Sequence, residues 1–332
     1  MKVVVYSTHH YDKASLENAN RQGGFNFELT FHDAALTEAT AVLAAGHNAV
    51  CVFVNDQVDA PVLKVLAKNG IRVVVLRCAG YNNVDIKAAT SFGVTVLRVP
   101  AYSPYSVAEF TVGLLLALDR KICRAWLRIR LDNFSLDGLL GRDLHGKVVG
   151  ILGTGRIGCL VAKAMKLGFG CNVIASDPFH NTELQSVGIQ YVDHQELFSK
   201  SDILCLHCPL SAETHHIINA DSLAMAKKGM ILVNTSRGGL IDTKALIAAL
   251  QEGIIAGCAI DVYEDEASLF FRDLSSFVVR DDAFQRLITF PNVLVTGHQA
   301  FFTQEALGAI AQTTLQNLAD FDAGKPSPDM EV

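Results

Sequence analysis

The segment Gly153-Thr-Gly-Arg-Ile-Gly158 stands near the middle of the chain, after an apolar run, Lys147-Val-Val-Gly-Ile-Leu152. A helical pattern, Leu160-Val-Ala-Lys-Ala-Met-Lys-Leu167, follows it, then a second apolar run, Asn172-Val-Ile-Ala175, and an acid, Asp177. Strand, glycine loop, helix and strand in this order form the βαβ unit that receives a dinucleotide. Gly153 lets the chain turn tightly, Gly155 lets the backbone approach a pyrophosphate, and Gly158 lets helix and strand pack closely. The helix N-terminus offers free N–H groups and a positive dipole end to the phosphates. The central position of the loop implies that a separate domain comes first.

The 332 residues exceed one ordinary domain, and half of them are apolar, enough for two cores. A net charge of −6 without a dense Lys/Arg block argues against nucleic acid and against an anionic membrane surface. The opening run Met1–Tyr6 meets polar Ser7-Thr-His-His10 at once, so it reads as a strand and not as a signal peptide. No apolar stretch is long enough to span a bilayer, and a soluble, cytoplasmic protein is expected. The eight cysteines are scattered, mostly in apolar segments where a thiol packs as a small hydrophobe. Cys205-Leu-His-Cys208 has CxxC spacing but lacks a second ligand pair, so no metal is expected.

Strand-like runs at Val3–Tyr6, Ala49–Phe53, Arg72–Leu76 and Val94–Arg98 alternate with helix-like ones at Ala60–Lys68 and Ile86–Ser91. This rhythm predicts a parallel sheet with covering helices. Val99-Pro-Ala-Tyr-Ser-Pro104 interrupts it as a hinge, with Ser103 as a cap and Pro104 at the first helical position. Val107, Phe110, Thr111, Leu114, Leu115 and Leu118 then recur at helical spacing, predicting one long interdomain helix over 105–130 with an apolar stripe for a dimer face. Further strands are predicted at 147–152, 172–175, 203–207, 230–233, 255–260 and 293–296. One amphipathic helix over 303–323 is expected to return to the first domain.

In open α/β sheets ligands bind beyond the carboxyl ends of the strands. Asp177 follows one such end, about twenty residues beyond the loop, where a carboxylate accepts from both ribose hydroxyls and repels a 2′-phosphate; this selects NAD over NADP. Arg237, in Asn234-Thr-Ser-Arg-Gly-Gly239, follows another and carries a guanidinium fork suited to a carboxylate. Asp261 ends a third, with Glu266 close behind, and His298 a fourth. An arginine, a carboxylate and a histidine thus converge on one rim. A carboxylate beside His298 favours the imidazolium, as suits a group that protonates a carbonyl oxygen and takes the proton back. Ala79 and Gly80 are small enough to let backbone N–H groups reach a substrate carboxylate, and Tyr102 and Phe301 are placed to wall the pocket.

These residues resemble the D-isomer-specific 2-hydroxyacid dehydrogenase family end to end, most closely its bacterial D-lactate dehydrogenase branch. The motifs that carry the resemblance are Leu76–Asp85, Val99–Pro104, Gly153–Gly158 with Asp177, His207–Leu210, Asn234–Gly238, Asp261–Glu266, Leu269–Asp273 and Thr296–Thr303. The resemblance implies an α/β fold of two doubly wound parallel-sheet domains, a Rossmann NAD-binding domain at 101–299 inserted into a flavodoxin-like substrate domain made of 1–100 and 300–332. It implies that Arg237 binds and polarises the 2-oxo acid, that His298 is the acid/base with Glu266 as partner, and that Ala79 and Gly80 donate to the carboxylate. Arg156, Ile157, Asp177, Cys208, Pro209, Thr235, Ser236 and Asp261 would line NAD with Gly153, Gly155 and Gly158. Thr214 stands where relatives often carry Asn near the cofactor, and Ala108-Glu-Phe-Thr111 replaces a more usual Ala-Glu-His-Ala.

The expected reaction is reversible NADH-dependent reduction of pyruvate to D-lactate, by a homo-oligomer, dimer or tetramer, whose only other partner is the 2-oxo or 2-hydroxy acid. A broader enzyme acting on phenylpyruvate or branched 2-oxo acids is the alternative within the class. An NAD-sensing corepressor-like binding protein is the alternative outside it.

Overall fold

The apolar runs and the helices between them form two all-parallel sheets in the computed structural model, which describes residues 1–325 and 330–332. The chain divides into two units, one of Met1–Ser103 with Phe302–Val332 and one of Pro104–Phe301.

In the first unit the strands are β1 (Lys2–Val5), β2 (Glu28–Phe31), β3 (Ala49–Val52), β4 (Val73–Leu76) and β5 (Thr95–Leu97), in the order β2-β1-β3-β4-β5. This is the flavodoxin-like order. β3 and β4 are buried along their whole length, as continuous apolar runs require when both faces are covered. The helix Ala60–Lys68 starts on an Asp59 cap that accepts from the Val62 amide, and Ile86–Ser91 on an Asp85 cap that accepts from the Ala88 amide. The C-terminal helix, Gln304–Asp322, lays Ala311, Leu315 and Leu318 against Val3, Val5, Val73 and Val75. Asn317 Nδ2 donates to the Arg98 carbonyl at 2.8 Å, and Glu331 bridges Leu97 antiparallel, so both chain ends build this unit. β2 lies outside the strands predicted from sequence. It is a short edge strand, half exposed, whose charged first residue hides the alternation.

In the second unit the strands are β6 (Val148–Leu152), β7 (Asn172–Ser176), β8 (Gln190–Tyr191), β9 (Ile203–Leu206), β10 (Met230–Asn234), β11 (Ile255–Ile260) and β12 (Val293–Val295). Their order is β12-β11-β10-β9-β6-β7-β8, the Rossmann order with one strand added. The order reverses between β6 and β9, and the glycine loop leaves β6 at that switch point. Two sequence expectations need correction here. The helix of the βαβ unit begins earlier, at Arg156, and ends at Lys163 in a π turn over Ala164–Gly168. The predicted helix 105–130 is two helices, Pro104–Asp119 and Ile122–Ile129, broken at Lys121, whose φ is 55°, and the apolar stripe expected to form a dimer face instead packs into the unit's own core through Leu114, Leu115 and Leu118. The break is held from outside. Asp119 accepts from both the Arg142 side chain and its amide at 3.0 Å, closing the base of the excursion 120–141.

Candidate active site

The glycine loop is fixed by sterics at two of its three glycines. Gly153 has φ 95°, and a Cβ there would lie 2.5 Å from the Cys208 amide nitrogen; a Cβ on Gly158 would lie 2.0 Å from the Gly153 carbonyl oxygen. Gly155, which caps the helix Arg156–Lys163, would place a Cβ in open space. The first and third glycines therefore serve packing, and the second leaves bare backbone at a helix N-terminus, as a pyrophosphate requires. Asp177 is half-buried beyond β7. One of its oxygens accepts from the Thr154 amide at 2.6 Å and the other from the Phe179 amide at 2.8 Å. The acid is thereby tied to the loop, with lone pairs left for hydroxyl donors. These residues fit an NAD molecule. Arg156 is exposed and Ile157 half-buried on the first turn of the helix.

Beyond β9, Cys208 is buried, and its thiol is pushed up to about 11 by burial. Cys205 in the middle of β9 is pushed up to about 12 for the same reason, so neither end of the CxxC spacing is a reactive thiolate. Between them His207 has a shielded Nε2 without a protein partner, and burial pushes its pKa down to about 4. Pro209 and Thr214 belong to one closed turn: Thr214 Oγ1 donates to the Pro209 carbonyl at 2.6 Å and accepts from the Ser211 amide at 2.8 Å. The hydroxyl is thus committed to its own loop.

Beyond β10, Ser236 Oγ donates to the Cys208 carbonyl at 2.7 Å and joins this turn to the one after β9. Asn234 shapes it by accepting from the Ser236 amide and donating to the Arg237 carbonyl. Gly238 is required, since a Cβ there would lie 2.1 Å from the Tyr263 carbonyl group. Arg237 is half-buried; its Nη1 donates to the Ser236 carbonyl at 2.7 Å, and no carboxylate lies within ion-pair distance of it among the described residues. Its remaining donors are available to an anion. Thr235 is buried and meets Thr111 hydroxyl to hydroxyl at 2.7 Å, while Thr111 donates to the Val107 carbonyl. The threonine that departs from the family pattern thus anchors the helix Pro104–Asp119 to this turn.

Asp261, fully buried after β11, organises the turn that carries His298. Its carboxylate accepts from Thr296 Oγ1 at 2.6 Å and from the amides of Gln299 and Ala300 at 2.9 and 2.8 Å. Its carbonyl accepts from the His298 amide at 2.7 Å. Burial pushes this carboxyl up, and those hydrogen bonds oppose the rise. These bonds fix the backbone of the turn on which His298 stands. His298 itself has φ 54°, a left-handed conformation costing roughly 1–2 kcal/mol, which the four bonds to Asp261 offset.

His298 Nδ1 lies 2.7 Å from Glu266 Oε1, and the other Glu266 oxygen accepts from the Tyr263 amide at 2.9 Å. An ionised carboxylate only accepts, so the proton sits on Nδ1 and Nε2 is turned away from Glu266. The two side chains are 20 and 23 % exposed, so the pair is largely shielded yet still open to solvent. Phe271 and Phe301 flank the imidazole, with centroids 5.7 and 6.5 Å from it. Phe271, also left-handed at φ 62°, was not singled out from sequence; its place in Leu269–Asp273 was the available signal.

In the first unit Ala79 and Gly80 follow β4 as half-buried residues. Arg98 Nη1 holds the Ala79 carbonyl at 3.1 Å, and Cys78 Sγ holds the Gly80 carbonyl at 3.2 Å. Below them Arg77 is buried against Asp12 and donates to the carbonyls of Tyr6 and Ser7. Tyr102 is half-buried.

Residues 112–300 match the family model described as D-isomer specific 2-hydroxyacid dehydrogenase, NAD binding domain. The chain is 57 % identical to the 2-hydroxyacid dehydrogenase homolog 1 of Schizosaccharomyces pombe, over 100 % of this chain and 99 % of that protein. It is 49 % identical to the D-lactate dehydrogenase of Escherichia coli over 99 % of each. The apo-structure of that enzyme matches with a TM-score of 0.91, covering 100 % of both chains. The NAD-complexed D-isomer specific 2-hydroxyacid dehydrogenase of Lactobacillus delbrueckii ssp. bulgaricus matches with a TM-score of 0.80 at 30 % identity, again over 100 % of both. The chain belongs to the D-isomer-specific 2-hydroxyacid dehydrogenase family and is an NAD-dependent oxidoreductase.

Proposed function

We propose that this protein catalyses the reversible NADH-dependent reduction of pyruvate to D-lactate, with His298 as acid/base, Glu266 as its partner and Arg237 as the substrate-binding cation. The observation that carries the reading is the hydrogen bond from His298 Nδ1 to Glu266 Oε1, which leaves Nε2 to exchange a proton with the substrate oxygen. Arg237 offers its unpaired guanidinium donors to the acid's carboxylate and draws charge from the adjacent carbonyl. Glu266 holds Nδ1–H and stabilises the imidazolium while Nε2 gives its proton to the oxygen on C2. The cofactor, when bound, would donate a hydride to C2 as NADH and accept it back as NAD+. Gly153, Gly155, Gly158, Arg156, Ile157, Asp177, Cys208, Pro209, Thr214, Thr235 and Ser236 are the residues that would hold it, with Asp261 setting the His298 turn. In the first unit, the backbone amides of Ala79 and Gly80 and the ring of Tyr102 are proposed as substrate-binding groups. The full-length likeness to the Escherichia coli D-lactate dehydrogenase supports pyruvate as substrate. The likeness to proteins named only as 2-hydroxyacid dehydrogenases keeps the broader specificity as the second reading.

One assay separates the readings: NADH and NADPH oxidation across a panel of 2-oxo acids, with the chirality of the product determined. Pyruvate giving D-lactate with the highest kcat/KM, and NADH preferred, is the expected result. A higher kcat/KM for phenylpyruvate supports the broader enzyme. Cofactor binding without turnover of any 2-oxo acid supports the sensor.

The excursion 120–141 supports assembly of the protein as a homodimer. It exposes Ile122, Trp126, Leu127, Ile129, Leu131 and Phe134 by more than half each, on a segment clasped at its base by Asp119 and Arg142. An apolar patch of this kind marks an interaction surface. No helix among the described residues is long and apolar enough to cross a membrane. Eight free cysteines suit the reducing cytoplasm as its location.

A further inference from the structure

Outside the residues assigned to the reaction, His215, His216 and Glu264 come together from two loops. The two imidazoles stack with centroids 3.9 Å apart and planes 27° apart. His216 Nε2 is hydrogen-bonded to Glu264 Oε1. One ligand atom from each of the three side chains lies within 4.8 Å of the others. The carboxylate is not loose, because its second oxygen accepts from Thr243 Oγ1 at 3.0 Å and from the Thr243 amide at 3.3 Å. Nor is the histidine loop: His216 has φ 52°, its amide donates to the Gly239 carbonyl at 2.9 Å, and its carbonyl accepts from Asn219 Nδ2 at 2.9 Å.

We propose that His215, His216 and Glu264 form a binding site for a divalent transition metal of the zinc class. Two imidazole nitrogens and one carboxylate oxygen are a borderline donor set that suits zinc, whereas magnesium and calcium prefer oxygen donors throughout. The ion takes the place of the proton shared by His216 Nε2 and Glu264 Oε1, with His215 closing the third corner by side-chain rotation. Thr243 supplies the outer hydrogen bond that a metal-binding carboxylate needs to hold its orientation. His215 is exposed, which leaves an entry path and a position for water.

The site has a structural consequence. It joins the loop 211–219 to the segment 261–266, and the His216 amide already joins that loop to the turn after Arg237. Gly238 of the same turn packs against the Tyr263 carbonyl group, within the segment that carries Glu266. An ion at this corner cross-links the connections bearing Arg237 and Glu266 without entering the reaction, so its effect is on thermal stability.

The test uses the full-length protein, stripped with a chelator and dialysed against zinc, with bound metal measured per chain; cobalt(II) then reports the ligand set by its visible spectrum. One zinc per chain is expected in the wild type and in His298→Ala. It is expected to be lost in His216→Asn, where Asn tolerates the left-handed backbone, and in Glu264→Gln. Thr243→Val, which removes only the outer hydrogen bond from the hydroxyl, is expected to weaken binding roughly 10- to 100-fold. Zinc raises the thermal midpoint of the wild type and not that of His216→Asn. Substoichiometric zinc in the wild type, or undiminished zinc in His216→Asn and Glu264→Gln, overturns the proposal. So does loss of zinc from His298→Ala alone, which would place the ion at the reacting histidine.

Discussion

Glu266→Gln changes one atom and tests the dyad directly. The Tyr263 amide is a fixed donor 2.9 Å from Glu266 Oε2, so the glutamine must keep its oxygen there. Its NH2 group then faces His298 Nδ1, which lay 2.7 Å from a carboxylate oxygen and now has to accept. The neutral ring answers by moving its proton to Nε2, and the imidazolium cannot form without setting two donors against each other. A hydrogen bond to a charged group contributes about 1.5–3 kcal/mol. At about 1.4 kcal/mol per factor of ten, its loss slows turnover roughly 10- to 150-fold. Both partners keep a fifth to a quarter of their side-chain surface in contact with solvent, so the lower half of that range is expected. The assay is kcat for pyruvate reduction and for D-lactate oxidation, alongside the Kd for NADH by fluorescence. Both rates should fall while NADH binding stays within about twofold, since the Glu266 carboxylate is engaged by His298 and the Tyr263 amide. His298→Ala sets the lower bound, about 10²- to 10⁴-fold down. Wild-type turnover in Glu266→Gln would refute the assignment of the dyad.

The contacts set three further outcomes. Thr111→Val leaves the buried Thr235 hydroxyl without its acceptor, which costs about 1–3 kcal/mol and lowers the thermal midpoint by several degrees; an unchanged midpoint would show that this pair anchors nothing. His207 has its folded pKa near 4, below the ordinary 6.5, so the unfolded chain binds its proton first. Stability is therefore full above about pH 6.5 and is lost as pH falls towards 4, by roughly 2–3 kcal/mol once the residue's partial exposure is allowed for; His207→Gln should show a shallower loss in urea titrations across this window, and an equal slope would remove His207 as the cause. Trp126→Glu together with Leu127→Glu should turn the assembled protein into a monomer in analytical ultracentrifugation, and a variant that sediments as the wild type does would place the interface elsewhere.

The two sheets were legible because their central strands are continuous buried apolar runs, such as Val73–Leu76 and Ile203–Leu206. Two of the edge strands lack that signature. Glu28–Phe31 is half exposed, and Gln190–Tyr191 has only two residues, too few to show any period. The break in the predicted long helix was hidden for another reason. Arg120 and Lys121 are good helix formers, and nothing local stops a helix there. The stop comes from Arg142, which returns to Asp119 across 23 positions and holds the chain in a closed excursion. Local propensity yields there to an ion pair that only the folded chain brings together.

The site divides along the same line. Asp177, Arg237, Asp261 and His298 could be found one strand end at a time, since parallel strands deliver the residues at their carboxyl ends to one rim. The effect of these residues on each other could not. The family resemblance ranks Asp261 among the residues that line NAD; in the fold its buried carboxylate also accepts from Thr296, Gln299 and Ala300. That use explains why His298 can hold a left-handed φ of 54° at all. The same applies to Phe271, set beside His298 by its own left-handed turn, and to Thr111, whose partner lies 124 residues away. Nothing local in the sequence sets His215 and His216 apart, because Glu264, the acid that meets them, is 48 residues beyond His216. Strand ends tell which side chains reach the rim. The hydrogen bonds behind the rim decide which of them keep donors and acceptors free and which, like Asp261, also hold the backbone of a neighbouring turn.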